Sequence, residues 1–266
     1  MTLAVRDLSV SYGRKEILHG LAMDALPGTL TAIVGPNGSG KSTLIKAICG
    51  DLPYEGNIHL NGVEIAQPKP WDLAAMRGVL PQASTLAFPF HAIEVVRIGL
   101  TSGMGADHAG RAEAALTRVG LKDHAHRYYQ ELSGGEQQRV QLARVLAQIW
   151  EPIAEDGPRW LMLDEPVSSL DIAHQLQVMS IACNFAQAGG GVVAVMHDLN
   201  LTGLFADHVL IMAEGKVLAA GPPAEVMTDD TLSRAYGCSL NVNAAPVGPA
   251  PFVLPHSAQA TMEMGH

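Results

Sequence analysis

The sequence predicts an α/β protein built on a parallel sheet, with a helical block inserted into it. Three observations carry this. Apolar runs of strand length alternate with stretches of helical period. One such run leads directly through a glycine-rich loop into a helix. The middle of the chain, roughly residues 85–150, is mainly helical and interrupts the alternation.

Taken in order, Leu3–Val10, Ile17–Met23 and Thr29–Val34 read as strands, with Gly and Pro between them. A helical pattern follows from Lys41 to Cys49, then a hairpin-like piece, GNIHLNG. Ile93, Val96 and Leu100 share one helical face, as do Ala112, Ala115, Leu116 and Val119. From Gly134 a further helix carries Leu142, Val145, Leu146 and Ile149 on one stripe. Next come a strand at Trp160–Leu163, a helix with Ile172, Leu176, Met179 and Cys183 in line, and a strand at Val192–Met196. Strands near Val209–Met212 and Lys216–Ala219 follow. Between the helix from Gly134 and the strand at Trp160 lies an acidic insert, Glu151 to Pro158. Pro152, Gly157 and Pro158 stop the helix and shape a surface crossing that the acids keep solvated. No chemistry is expected there. After Cys238 the chain turns Pro- and Ala-rich and reads as a peripheral tail.

With 266 residues and 48% hydrophobic content the chain can bury one substantial core. A net charge of −9 argues against nucleic acid as a partner. No apolar run approaches the ~18–20 residues that span a bilayer, and the opening MTLAVRDLSV lacks the profile of a secretory signal. Cys49, Cys183 and Cys238 are odd in number and widely spaced, with no metal-ligand pattern. The expectation is a soluble, reduced, cytosolic chain.

TAIVGPNGSGKST runs from the third strand through Gly35, Pro36, Asn37, Gly38, Ser39 and Gly40 into Lys41, Ser42 and Thr43. It fits the phosphate-binding pattern G-x-x-x-x-G-K-[ST] in its required strand–loop–helix setting. Glycines let backbone N–H groups curl around a phosphate, and the helix start adds its positive dipole end. Lys41 would neutralise the β- and γ-phosphates, and the Ser42 hydroxyl would ligate Mg²⁺. WLMLDE supplies the second half. Asp164 would support the metal, and Glu165, one residue on, would act as general base on the attacking water.

LSGGEQQR places Ser133, Gly134 and Gly135 before a helix, a second anion-binding helix start in one chain. One nucleotide does not need both from one subunit, so each would serve a different nucleotide across a twofold dimer. Here the sequence resembles the ABC ATPases, whose signature reads LSGGQ; Glu136 takes the fifth position, with Gln137 next. The resemblance covers residues 1–237, with 238–266 as the tail. It implies a P-loop NTPase fold: a RecA-like core, an antiparallel β subdomain and an inserted helical subdomain. It also implies that Tyr12 stacks on adenine, that Gln82 reaches Mg²⁺ and the water, that Ser168–Asp171 crosses the dimer interface, and that His197 contacts the γ-phosphate. One departure is Val167, where the family usually has threonine.

A lone cassette, with only roughly ninety residues between phosphate loop and signature, resembles the energy-coupling subunit of a transporter. The signature helix, the insert and PRWLMLDEP together are similar to the ATPases of haem (hemin) importers, with siderophore and cobalamin importer ATPases as close competitors. That resemblance implies ATP and Mg²⁺ as ligands and a homodimer docked on two integral-membrane permease subunits. A periplasmic haem-binding protein would act indirectly, and the chain would sit on the cytoplasmic face of the inner membrane. Ser84–Phe90 would face the permease, with Phe88-Pro89-Phe90 either gripping it or packing into the chain's own core. His256, His266, Met262 and Met264 are expected to be tail residues rather than iron ligands.

Overall fold

The computed structural model describes residues 1–82, 86, 88–100, 110–245 and 251–257. The chain opens with two long strands, β1 (Leu3–Tyr12) and β2 (Lys15–Ala25), then β3 (Leu30–Val34) and helix α1 (Lys41–Ile48). Two strands, β4 (Glu55–Leu60) and β5 (Val63–Glu64), precede α2 (Pro70–Met76) and β6 (Arg77–Leu80). Three helices follow, α3 (Ala92–Leu100), α4 (Arg111–Arg118) and α5 (Gly134–Gln148). A small hairpin, β7 (Ile153–Ala154) and β8 (Gly157–Pro158), leads to β9 (Trp160–Asp164), α6 (Ile172–Gln187), β10 (Gly191–Val195) and α7 (Leu199–Phe205). The remainder is β11 (His208–Ala213), β12 (Lys216–Gly221), α8 (Pro223–Val226) and α9 (Asp229–Tyr236).

Six strands form the central sheet in the order β12-β11-β3-β10-β9-β6, all parallel except β12, which pairs antiparallel with β11. Strands β3, β9 and β10 are buried at every position, as a sheet covered on both faces requires. Alternate residues feed two apolar layers. Leu30, Ala32, Leu161, Leu163, Val192 and Ala194 join α3–α6 on one side. On the other, Ile33, Trp160, Met162, Val193 and Val195 join α1 and a second sheet. That second sheet is antiparallel, in the order β2-β1-β4-β5. Its β1 buries Leu3, Val5, Leu8 and Val10. The step from Val5 to Leu8 contains an irregularity at Asp7 (φ +50°), against which Gly56 packs so closely that a Cβ there would strike the Asp7 carbonyl.

The stripes expected on α4 and α5 are all buried. On α6 the buried face is Val178, Met179, Ala182, Phe185 and Ala186, while Ile172 is 47% exposed. The helix has therefore turned from the predicted line: Asp171 caps its start by accepting from the His174 amide, which leaves Ile172 in the outer first turn. Helices α2, α8 and α9, only seven, four and eight residues long, are not among those assigned from the sequence. The acidic insert is also more than a solvated crossing. It folds into the β7–β8 hairpin and clasps the two sheets together. Asn61, in the β4–β5 turn, donates to the Pro158 carbonyl at 2.9 Å and accepts from Trp160 Nε1 at 3.0 Å. Ile153 meanwhile packs over Gly189. No described helix is long and apolar enough to cross a membrane. Cys49 is buried, Cys183 half-buried and Cys238 exposed.

Candidate active site

The site gathers at the C-terminal ends of β3, β9 and β10, adjacent strands in the parallel sheet. Strand β3 runs into the loop Gly35–Gly40. Gly35 has φ +151° and lies against the Met212 carbonyl, where no side chain fits. Gly40, at φ +99°, touches Leu18 of β2 and leaves α1 without a side-chain cap. Its first-turn amides thus face the loop with the positive end of the helix dipole. Pro36 is half-buried, while Asn37 and Gly38 are exposed. The Ser39 hydroxyl is buried without a hydrogen-bond partner among the described residues. Lys41 folds its ammonium back over the loop, donating to the carbonyls of Gly35 (2.8 Å) and Pro36 (3.1 Å). Burial depresses its pKa, opposed by the nearby carboxylates Glu165 and Asp164. Ser42 and Thr43 are half-buried in the first turn of α1. At the other end of α1, Arg77 hydrogen-bonds the Cys49 carbonyl, so a buried cation closes the helix C-terminus.

Strand β9 delivers two carboxylates to different surroundings. Asp164 is buried, its pKa raised by that burial and then by Glu165. Its Oδ1 has no hydrogen-bond partner among the described residues. A buried, unpaired carboxylate oxygen beside a phosphate loop is the donor a hard cation would meet, and Ser42 supplies a second oxygen nearby in sequence to Lys41. No group of three or more His, Cys, Asp or Glu suited to a metal occurs among the described residues, so a metal here would rely on phosphate oxygens as well.

Glu165 leaves the strand at φ +54° and projects between two partners. Gln82, just after β6, donates Nε2 to Glu165 Oε2 at 2.9 Å. His197, just after β10, lies with Nε2 2.6 Å from Glu165 Oε1. Both carboxylate oxygens are therefore held, one by each neighbouring strand end. A cavity of about 220 Å³ opens beside them, lined by Ile45, Lys46, Cys49, Val79, Gln82 and Asp164 among others. Tyr12 is half-exposed at the tip of the β1–β2 hairpin, whose Ile17 and Leu18 touch Gly40.

Ser133–Gln137 stand apart from this cluster: among the described residues no hydrogen bond joins them to the phosphate loop. Ser133 caps α5 in a reciprocal box. Its amide and hydroxyl both donate to Glu136 Oε2 at 2.8 Å, and it accepts from the Glu136 amide at 3.3 Å. The Ser133 amide, then its hydroxyl, hold the Glu136 carboxyl below its ordinary range. Gln137 turns inward and donates to the carbonyls of Tyr129 and Leu132. That makes it a brace for the loop. Gly134 is open, and Gly135 packs on the Ser169–Leu170 turn. Helix α5 lies so close over Gly78 that a Cβ there would meet Val145 at 2.6 Å. Sequence reading missed Gln138, whose amide reaches Glu165; nothing in its spacing marked it. Of Ser84–Phe90, residues 84, 85 and 87 lie outside the described residues, as do His266, Met262 and Met264; Phe88 is 68% exposed, whereas Phe90 is half-buried against the core.

A family profile described as ABC transporter matches residues 18–168. The chain belongs to the ABC transporter family. Among relatives of this ABC transporter protein is the Hemin import ATP-binding protein HmuV of Jannaschia sp. (strain CCS1), 60% identical over 97% of this chain and 96% of that one. The protein of the same name from Roseobacter denitrificans is 59% identical over 97% and 99%. A solved ATP binding subunit of an ABC transporter superposes with a TM-score of 0.76 at 24% identity, covering 85% of this chain and 92% of that one, which establishes the shared fold. The cbiO1 structure from Clostridium perfringens, part of the ABC transporter complex cbiONQ, gives 0.71 at 28% identity over 87% and 92%.

Proposed function

We propose that the chain is the ATP-hydrolysing, energy-coupling subunit of a haem importer, working as a homodimer on two permease subunits at the cytoplasmic face of the inner membrane. The observation that carries the chemistry is Glu165, gripped at both oxygens by Gln82 and His197 beside a phosphate loop. The near full-length similarity to hemin import ATP-binding proteins supports the cargo.

In this reading Tyr12 stacks on adenine, and the amides of Gly35–Gly40 with Lys41, Ser42 and Thr43 hold the phosphates. Lys41 exchanges the carbonyls of Gly35 and Pro36 for phosphate oxygens. Ser42, Gln82 and Asp164 would hold Mg²⁺, which when bound draws charge from the β- and γ-phosphate oxygens. Glu165 takes a proton from water as its oxygen bonds the γ-phosphorus and the bond to the ADP oxygen breaks. His197 steadies the γ-phosphate. Ser133–Gly135 of the partner copy complete the site, with Glu136 and Gln137 bracing that loop from within rather than meeting nucleotide, and closure of the dimer moves the helical block, roughly 85–150, against the permease. Phe88 lies on that block as an apolar contact. The core at 1–237 does this work.

Glu165→Gln is expected to bind ATP, accumulate as a closed dimer on size exclusion and lose turnover by at least ~10²-fold. Near-normal turnover would remove Glu165 from its role. For cargo, ATPase of the importer reconstituted with its permease should rise with haem-loaded binding protein. Stimulation by ferric siderophore or cobalamin in place of haem would overturn the haem assignment alone.

A further inference from the structure

Glu165 sits on a backbone that a glutamate does not adopt freely. A φ of +54° is unfavourable for an L-residue and persists only where the surroundings hold it. Its amide donates to the Val195 carbonyl at 3.2 Å, which ties it to β10. Its carbonyl oxygen accepts from the Ser168 amide (3.4 Å), the Ser168 hydroxyl (3.3 Å) and Gln138 Nε2 (3.1 Å). Ser168 belongs to the turn that Glu165 itself begins. Gln138 comes from a different element, five residues beyond Ser133 in the opening turns of α5. Its other amide atom, Oε1, is buried with no hydrogen-bond partner among the described residues. Burying a polar atom unpaired is unfavourable, so the orientation of this side chain is set by the bond to Glu165. The same end of α5 also presses on the turn after Glu165: a Cβ on Gly135 would lie 3.0 Å from Leu170 and 3.3 Å from the Ser169 carbonyl.

We propose that Gln138 is a positioning residue that transmits the placement of the α5 N-terminus to the backbone of Glu165 in the same chain. It thereby sets where the carboxylate stands between Gln82 and His197. The inference rests on the shared-site reading above. There, Ser133–Gly135 meet nucleotide held by the partner copy, while Glu165 serves the nucleotide of its own chain. Gln138 then joins the two sites of the dimer through one side chain. A nucleotide engaged at one signature fixes α5, and α5 fixes the carboxylate at the other site.

The test uses Gln138→Met, which fills the same length without a donor, and Gln138→Glu, which puts an acceptor against the Glu165 carbonyl. Steady-state ATPase of the full-length dimer should fall about tenfold in kcat for both, with KM for ATP within about twofold of wild type and an unchanged thermal midpoint. In a Glu165→Gln background, Gln138→Met should still form the ATP-held dimer at the same ATP concentration. Wild-type kcat in Gln138→Met overturns the inference. So does a parallel rise in KM or a loss of the ATP-held dimer, since either would make Gln138 a binding or structural residue. Failure of Glu165→Gln alone to give an ATP-held dimer overturns the shared-site reading, and this inference with it.

Discussion

Asp164 and Glu165 are chemical twins one bond apart, and the fold gives them opposite treatment. Glu165 has a partner on each oxygen; Asp164 is buried with one oxygen unpaired and its pKa pushed up by that burial. Asp164→Asn should therefore raise the thermal midpoint by a few degrees, about 1 kcal/mol, while lowering ATPase by ~10²-fold or more. Thermal melts and turnover on one preparation check both signs. Glu136 shows the reverse balance. Its carboxylate caps α5 through Ser133, and its folded pKa lies below the usual 4.5. A depressed carboxylate contributes stability that is present above the unfolded pKa and lost as pH falls through the folded one. Glu136→Gln should cost about 0.5–1 kcal/mol at neutral pH, and the gap to wild type should close as pH drops below that value in urea titrations.

At the scale of elements, the β7–β8 hairpin joins the two sheets through Asn61. Asn61→Ala leaves Trp160 Nε1 and the Pro158 carbonyl without their partner and puts alanine at φ +54°. A loss of about 2–4 kcal/mol in urea unfolding is expected, with ATPase per folded molecule unchanged. This hairpin also marks the limit of what sequence could tell. Pro152, Gly157 and Pro158 marked the end of a helix and a surface crossing, but the clasp depends on Asn61, almost a hundred residues away, and no local pattern encodes that pairing. The strands β3, β9 and β10 were legible because burial on both faces demands unbroken apolar runs. The phosphate loop was legible because its glycines answer to geometry: Gly35 has no room for a side chain. Helix α6 was misread by part of a turn, since its apolar residues surround more than one face and the Asp171 cap chose the one that packs. Gln138 was invisible, because its partner is a backbone carbonyl and any long polar residue reads alike at that position.

On the scale of the molecule, α3–α6 and one face of the parallel sheet share a single apolar layer. The helical block is joined to the sheet by packing as well as by chain. Equilibrium unfolding should accordingly run as one transition, with fluorescence and circular dichroism coincident; two separated transitions would contradict a continuous layer. The three cysteines add a use that has nothing to do with transport. Burial lifts the Cys49 thiol to about 12 and the Cys183 thiol to about 11, whereas Cys238 is exposed just after α9. At neutral pH one thiol per folded chain should react rapidly with a maleimide, and three after denaturation. The protein thus comes with a single native attachment point for a spin label or dye. Paired across two copies, it would test the proposed dimer closure as a distance without altering a residue of the candidate site.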